Sequence, residues 1–171
     1  MKKLILLVFF SLPLTAHAQK QVKIENPYVI MGTDNDMLNM MMKSEAAPDS
    51  LKTLWEGLEL EESLIISYDE DKFDIKTPID PEIKTHQVRK VGETYVIIKT
   101  ADGDYGYFHL ANKQLYVMST AEGSNFIVGF GKGINEMRET LDFIKTRLSA
   151  YGMEQREIIA ELIKRFDKYD Y

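Results

Sequence analysis

Five short segments between residues 84 and 130 restrict the folds open to this chain more than any other feature of its sequence. They are rich in β-branched and aromatic residues, and they read KTHQVRK, TYVIIKT, YGYFHL, QLYVMS and NFIVGF. Turn signals separate them, namely Gly92-Glu93, Asp102-Gly103, Asn112-Lys113 and Glu122-Gly123. Short strands joined by such turns are typical of antiparallel hairpins. The segments therefore predict an antiparallel β-meander.

Two helices are predicted after the meander. Apolar residues between Ile134 and Tyr151 recur in steps of three and four, so they form one stripe on a helix. Gly152 is placed to end that helix with a left-handed cap. A last helix begins near Glu154 and again has one apolar face. Amphipathic helices of this kind cover a sheet, and that is the packing we expect.

An interrupted strand, two short helices and two further strands are predicted before the meander. The first strand covers 20–31 and is interrupted at Asn26-Pro27. The helices cover 34–43 and 50–58, with Asp34 or Asp36 as the cap of the first helix. The two further strands cover 62–68 and 72–77, around the polar turn Asp69-Glu70-Asp71. The predicted fold class is α+β, an antiparallel meander of about five to seven strands packed against two C-terminal helices, with one or two short N-terminal helices.

The first eighteen residues have the pattern of a secretory signal peptide. Lys2 and Lys3 precede an apolar run, and Ala16-His17-Ala18 ends it with small residues where a signal peptidase cleaves. We therefore expect residues 1–18 to be removed and residues 19–171 to form one periplasmic α+β domain. The apolar run is too short to span a bilayer.

Composition narrows the expected partners. The chain has no cysteine, which excludes disulfides and a lipid-anchoring cysteine, and its formal net charge is −6. An acidic net charge argues against nucleic acid and anionic membranes as partners, and it permits a cationic protein partner. A periplasmic or secreted protein is the expected partner, and the oligomeric state is left open.

The predicted sheet has two unlike faces. Two-residue loops at the last three turns would pair Ile97 with Phe108, Leu110 with Leu115, and Val117 with Val128. One face then collects apolar side chains: Tyr95, Ile97, Phe108, Leu110, Leu115, Val117, Phe126, Val128 and Phe130. The other mixes apolar groups with phenols and an imidazole: Val96, Ile98, Tyr105, Tyr107, His109, Tyr116, Met118 and Ile127.

These faces lead to two expectations. The C-terminal helices should lie on the face of Phe108 and Leu115. The second face is either covered by the helices at 34–43 and 50–58, or partly open to a partner or apolar ligand. Its candidate binding residues are Tyr105, Tyr107, His109, Tyr116 and Met118.

A methionine-rich run, DNDMLNMMMK, occupies residues 34–43. On a helix, Met37, Met40 and Met41 fall at i, i+3 and i+4 and share one face. Thioethers suit the soft ion Cu(I), but they also fill irregular gaps against aromatic rings. We favour packing, and expect these three methionines to cover Tyr107 and Tyr116.

No catalytic, metal or cofactor site is assigned. His86 and His109 lack the spacing of a zinc motif and have no nucleophile elbow nearby. The carboxylate clusters suit caps and turns, and none follows a full calcium loop. They are Asp34/Asp36, Asp69/Asp71/Asp74 and Asp102/Asp104.

The sequence thus predicts a small exported protein, not an enzyme, that blocks a partner protein in the manner of an immunity or inhibitor protein. One alternative is a carrier of a small ligand or of Cu(I) or Ca²⁺. A less favoured one is a hydrolase whose carboxylates converge only in the fold.

Overall fold

The computed structural model describes residues 20–69, 71–77, 80–91, 94–97, 105–121 and 123–166. These residues form ten strands and four helices. The strands are β1 (Lys20–Ile24), β2 (Tyr28–Thr33), β3 (Leu58–Glu59), β4 (Leu64–Tyr68), β5 (Lys72–Thr77), β6 (Asp80–Val91), β7 (Thr94–Ile97), β8 (Tyr105–His109), β9 (Gln114–Ala121) and β10 (Ser124–Gly131). The helices are α1 (Asp36–Lys43), α2 (Asp49–Glu56), α3 (Ile134–Tyr151) and α4 (Gln155–Phe166). The predicted signal peptide lies outside the described residues.

The α+β class is confirmed, and so is the meander, which corresponds to β6 through β10. All described strand pairs are antiparallel, and the strand order is β1-β4-β5-β6-β7-β8-β9-β10-β2-β3. The first part of β6 pairs with β5, and its last residues, from Val88, pair with β7. Strand β6 therefore carries the pairing from a first sheet of β1, β4, β5 and β6 into a second sheet of β7, β8, β9, β10 and β2, with β3 at its edge.

The two sheets fold over one another. Strands β5 and β8 are three positions apart in the strand order, which in a flat sheet is about 14 Å. The rings of Phe73 in β5 and Phe108 in β8 nevertheless meet edge to face, with centroids 5.6 Å apart. The outer strands of the two sheets also lie close together. Strand β1 is at one end of the strand order and β2 is near the other, yet only residues 25–27 connect them.

Because the first sheet folds over the second, the protein has two separate apolar clusters. The inner core lies between the sheets and joins side chains of the first sheet to Phe108, Leu115 and Phe130 of the second. The outer core lies between the second sheet and the C-terminal helices. Its sheet members are Ile30, Tyr107, Tyr116, Met118 and Ile127, and its helix members are Met137, Leu141, Ile144, Leu148, Ile158, Ile159 and Leu162.

The predicted placement of the C-terminal helices is therefore wrong. Helices α3 and α4 lie on the face of Tyr107 and Tyr116, and the face of Phe108 and Leu115 packs against the first sheet. The more apolar face of the meander is instead covered by β4 and β5, because the first sheet folds over the second.

The predicted register is correct at one hairpin and wrong at two. Val117 pairs with Val128 around the tight turn at Gly123, as predicted. Phe108 pairs with Leu115, so the β8–β9 loop has four residues, and Lys113 takes a positive φ of 52° within it. Tyr95 pairs with Phe108, so the register between β7 and β8 also differs from the predicted one. Both errors are shifts of two residues, and such shifts leave the alternation of faces unchanged.

The N-terminal elements follow the prediction with one correction. The strand expected over 20–31 is interrupted near Asn26-Pro27, as predicted, and forms β1 and β2, with a positive φ of 44° at Asn26 between them. Helix α1 is capped by Asn35, whose Oδ1 accepts a hydrogen bond from the Leu38 amide at 3.1 Å, and not by Asp34 or Asp36. Helix α3 ends at Gly152 in the left-handed conformation, as predicted.

Candidate functional site

The predicted binding face is buried. Tyr107 and Tyr116 are 0% exposed, His109 is 2% exposed, and Met118 is fully covered, while Tyr105 is half-buried at the margin. The cover comes from α3 and α4, which present long apolar stripes to this face. In the described structure this face is therefore covered at Tyr107, His109, Tyr116 and Met118, and it is partly accessible only at Tyr105.

The His109 imidazole on this face makes contacts that stabilise the local structure. His109 Nδ1 accepts a hydrogen bond from the Asn112 amide at 3.1 Å, which holds the four-residue turn after β8. The imidazole also stacks on the Tyr107 ring, with centroids 6.4 Å apart and planes 15° apart. An imidazole whose Nδ1 accepts a backbone proton carries its own proton on Nε2 when it is neutral. His109 thus supports the β8–β9 hairpin.

Tyr116 is placed by its hydroxyl and by a glycine. Its hydroxyl donates to Gln114 Oε1 at 3.0 Å, and Gln114 Nε2 donates to the Lys132 carbonyl at 3.2 Å. Burial raises the pKa of the Tyr116 phenol above its usual range. The ring lies directly on the backbone of Gly129, where an added Cβ would come within 2.8 Å of it. The close approach of the Tyr116 ring to the backbone explains why residue 129 is a glycine.

Among the described residues, a group of three neighbouring exposed apolar side chains lies on helix α1. Met37, Met40 and Met41 are 65%, 68% and 52% exposed, and they form what we call the methionine surface. The opposite side of α1, with Leu38, Asn39 and Met42, is half-buried. The prediction that these methionines cover Tyr107 and Tyr116 is wrong. Helix α1 follows β2 after two residues, so it stays beside β2 and α2, while α3 and α4 reach the tyrosines.

Polar contacts hold the inner side of α1. Asn39 Nδ2 donates to the Thr33 carbonyl at 2.8 Å, and the indole N–H of Trp55 in α2 donates to Asn39 Oδ1 at 3.3 Å. The Asn35 side chain caps the helix and also donates to Ser124 Oγ at 3.0 Å. The helix is therefore fixed to the end of β2, to α2 and to the β9–β10 hairpin.

A second set of contacts extends this support to the C-terminal helices. Asp34 Oδ1 and Oδ2 accept hydrogen bonds from the backbone and side-chain amides of Asn125, each at 2.7 Å. Gln155 at the start of α4 donates to Asn125 Oδ1 at 2.8 Å and to Thr120 Oγ1 at 3.0 Å. Local sequence patterns do not reveal this network, because its members are far apart in the chain. For the contacts beneath α1, the polar side chain of Asn39 inside an apolar run was the available signal.

Two carboxylates of one predicted cluster make a turn contact and a cross-strand contact. Asp69 Oδ1 accepts the amides of Asp71 and Lys72 at 3.1 and 2.8 Å, and the bond from Asp71 is the main cause that lowers the pKa of the Asp69 carboxyl. Asp74 accepts a bond from Thr85 Oγ1 at 2.6 Å. Within the described residues, no group of three His, Asp or Glu side chains is arranged to hold a metal ion. The Asp102/Asp104 pair lies outside them.

These features define an α+β protein with a doubled antiparallel sheet, a helix-covered outer face and a rigidly held methionine surface. The chain matches no protein-family model, no curated protein and no solved structure. None of the helices in the described part of the chain is long and apolar enough to cross a membrane.

Proposed function

We propose that this protein is an exported, non-enzymatic binding protein of the immunity or inhibitor type, and that its partner protein docks on the methionine surface. The observation that carries the proposal is the outward position of Met37, Met40 and Met41 on a helix whose inner side is already occupied. Packing within the chain accounts for Leu38 and Met42, but it leaves the three outer side chains without a folding role.

Physical properties of the surface support docking. Methionine is unbranched and polarisable, so it adapts to differently shaped partners at little cost, and it is over-used at binding surfaces. Contiguous exposed apolar groups on a soluble protein mark interaction sites more often than chance. The supporting network beneath α1 gives the patch a fixed backbone, which reduces the ordering cost of association.

Site-specific photo-crosslinking in the producing cells tests this proposal. A photoreactive benzoylphenylalanine at Met40 should form one discrete adduct with a partner protein. Ile83 in β6 provides a matched control position, since it is also apolar and 66% exposed. An adduct pattern that is the same at both positions, or no adduct at Met40, contradicts the proposal.

Competition makes the assay specific for the surface. Excess wild-type protein should suppress the Met40 adduct, and so should the triple variant Met37→Leu/Met40→Leu/Met41→Leu, because leucine keeps the apolar area. The triple variant with glutamine at the same positions has side chains of similar length but polar ends. It should fail to compete, and competition equal to that of wild type would contradict the docking site.

A further inference from the structure

We infer that Met37, Met40 and Met41 also form a binding site for one Cu(I) ion, held by their three thioether sulfurs. The inference concerns the sulfur atoms and does not rest on the proposed function, which concerns the apolar area. Two features of the sequence speak against Cu(I): no histidine lies near these methionines, and their spacing also suits packing on aromatic rings. The structure removes the second objection, because all three side chains are mostly exposed.

The spacing on α1 brings the three sulfurs within reach of one ion. Met37 has Met40 and Met41 as its neighbours three and four residues on, and Cβ atoms at these spacings lie roughly 5–6 Å apart on the helix surface. Long side chains in a helix lean toward its N-terminus, so Met40 and Met41 lean over the preceding turn, where Met37 begins. Three rotatable bonds in each side chain then let the sulfurs turn toward a common point. Since these side chains are exposed, that movement displaces no packed neighbour.

Ligand chemistry selects the metal. Thioethers are soft, neutral ligands that suit Cu(I), whereas Mg²⁺, Ca²⁺ and Mn²⁺ prefer oxygen. The chain contains no cysteine, so no thiolate competes for the ion. Among the described methionines, the other five are half-buried or buried: Met31, Met42, Met118, Met137 and Met153. His109 is enclosed, and its Nδ1 is engaged with Asn112. Within the described residues, the exposed soft ligands therefore concentrate on α1.

Anaerobic titration of the whole protein against a chromogenic Cu(I) chelator tests the site. Wild type should withdraw one Cu(I) ion per chain from the chelator. The single variant Met40→Leu should lower the affinity by at least about tenfold, since it removes one of three ligands while keeping side-chain size. Met153→Leu removes a sulfur outside α1 and should leave the affinity unchanged. Equal affinity in wild type and Met40→Leu, or no transfer to wild type, overturns the inference.

Two further readouts identify the ligands. Ag(I), a redox-stable stand-in for Cu(I), should shift the methyl NMR signals of Met37, Met40 and Met41 and leave that of Met153 in place. Affinity for Cu(I), measured against a pH-corrected chelator, should be the same at pH 6 and pH 8, because thioethers do not take up a proton. A site built on His86 or His109 would weaken as the pH falls below about 6.5, and that result overturns the assignment.

The leucine triple variant separates this inference from the proposed function. It should lose Cu(I) binding while it still competes in the crosslinking assay. Loss of Cu(I) binding with partner docking intact supports a sulfur site on a docking surface. Cu(I) retained by the triple variant overturns the metal site and leaves the docking proposal as it stands.

Discussion

The carboxylate of Asp34 accepts two hydrogen bonds from Asn125, one from its backbone amide and one from its side-chain amide, both at 2.7 Å. Asp34 lies between β2 and α1, and Asn125 lies in β10, 91 residues later. The pair closes one end of the second sheet. It also places the start of α1, so the direction in which the methionine surface faces depends on it.

Removal of the Asp34 carboxylate should loosen α1. We expect Asp34→Ala to lower the free energy of unfolding by about 2–3 kcal/mol, because it leaves two partly buried donors without an acceptor. Amide hydrogen exchange across Asp36–Lys43 should rise more than exchange in α3. Asp34→Asn keeps one acceptor oxygen and should have an intermediate effect.

Asp36 provides the control for this prediction. It is an exposed carboxylate in the first turn of the same helix. Asp36→Ala should lower the free energy of unfolding by no more than about 1 kcal/mol, because it removes only a favourable interaction with the helix dipole. Equal effects of Asp34→Ala and Asp36→Ala on exchange in α1 would show that the Asn125 contact does not hold the helix.

Substitution of Gly129 should disturb the outer core through the Tyr116 ring. A Cβ there would lie 2.8 Å from Tyr116 Cε1 and 3.1 Å from Ile30 Cγ2. We expect Gly129→Ala to lower stability by about 1–3 kcal/mol in urea unfolding, as overpacking does. In a Tyr116→Leu background, Gly129→Ala should lower the free energy of unfolding by a clearly smaller amount. Equal costs in both backgrounds would exclude the ring as the cause.

Tyr116 should remain neutral in the folded protein at alkaline pH. Burial raises the pKa of its phenol above the unfolded value near 10, so folding favours the protonated form. This contribution to stability is complete below pH 10 and is lost as the pH rises above it. Below the alkaline unfolding transition, the tyrosinate absorbance of wild type at 295 nm should equal that of Tyr116→Phe. A larger wild-type signal would mean that the folded phenol ionises.

Arg147 joins α3 to α4 and should not be replaceable by lysine. Its Nε donates to Glu161 Oε2 at 2.8 Å, and its guanidinium lies 4.8 Å from the ring centroids of both Phe143 and Tyr151. Lysine keeps the charge but lacks the planar group that stacks on rings. We expect Arg147→Lys to lower stability by about 1 kcal/mol.

The exposed pair of Arg156 and Glu154 supplies the comparison for Arg147. Both side chains are mostly exposed, and the separation of Nε and Oε2 is 3.4 Å. Arg156→Lys should change the urea midpoint little, since exposed ion pairs contribute between zero and about 1 kcal/mol. A midpoint that moves as far for Arg156→Lys as for Arg147→Lys would argue against a special role of the stacked guanidinium.

Elements with a strong local signal were predictable from the sequence. Turn residues and alternation located β6 to β10, and the apolar stripe with Gly152 located α3 with its correct end. The spacing of Met37, Met40 and Met41 also places them on one face of a helix from the sequence alone. Loop length was less predictable, because a four-residue loop closes the β8–β9 hairpin where a two-residue turn was expected.

The environment of each face was not predictable in the same way. Tyr107 and Tyr116 were expected near the N-terminal helices or solvent, and they lie under α3 and α4. Asp34 was expected as a helix cap, and it holds Asn125 instead. Each of these outcomes depends on contacts between residues that are far apart in the chain, about which a local pattern carries no information.

The sequence by itself determined which segments become strands or helices and which residues share a face, because backbone sterics and side-chain periodicity act over a few neighbouring residues. Only the tertiary structure decided which apolar faces meet. The hydrophobic effect is non-directional, so the apolar pattern of one face does not specify which other face will cover it. The folding of the first sheet over the second filled one face, the C-terminal helices covered the other, and Met37, Met40 and Met41 were left outside.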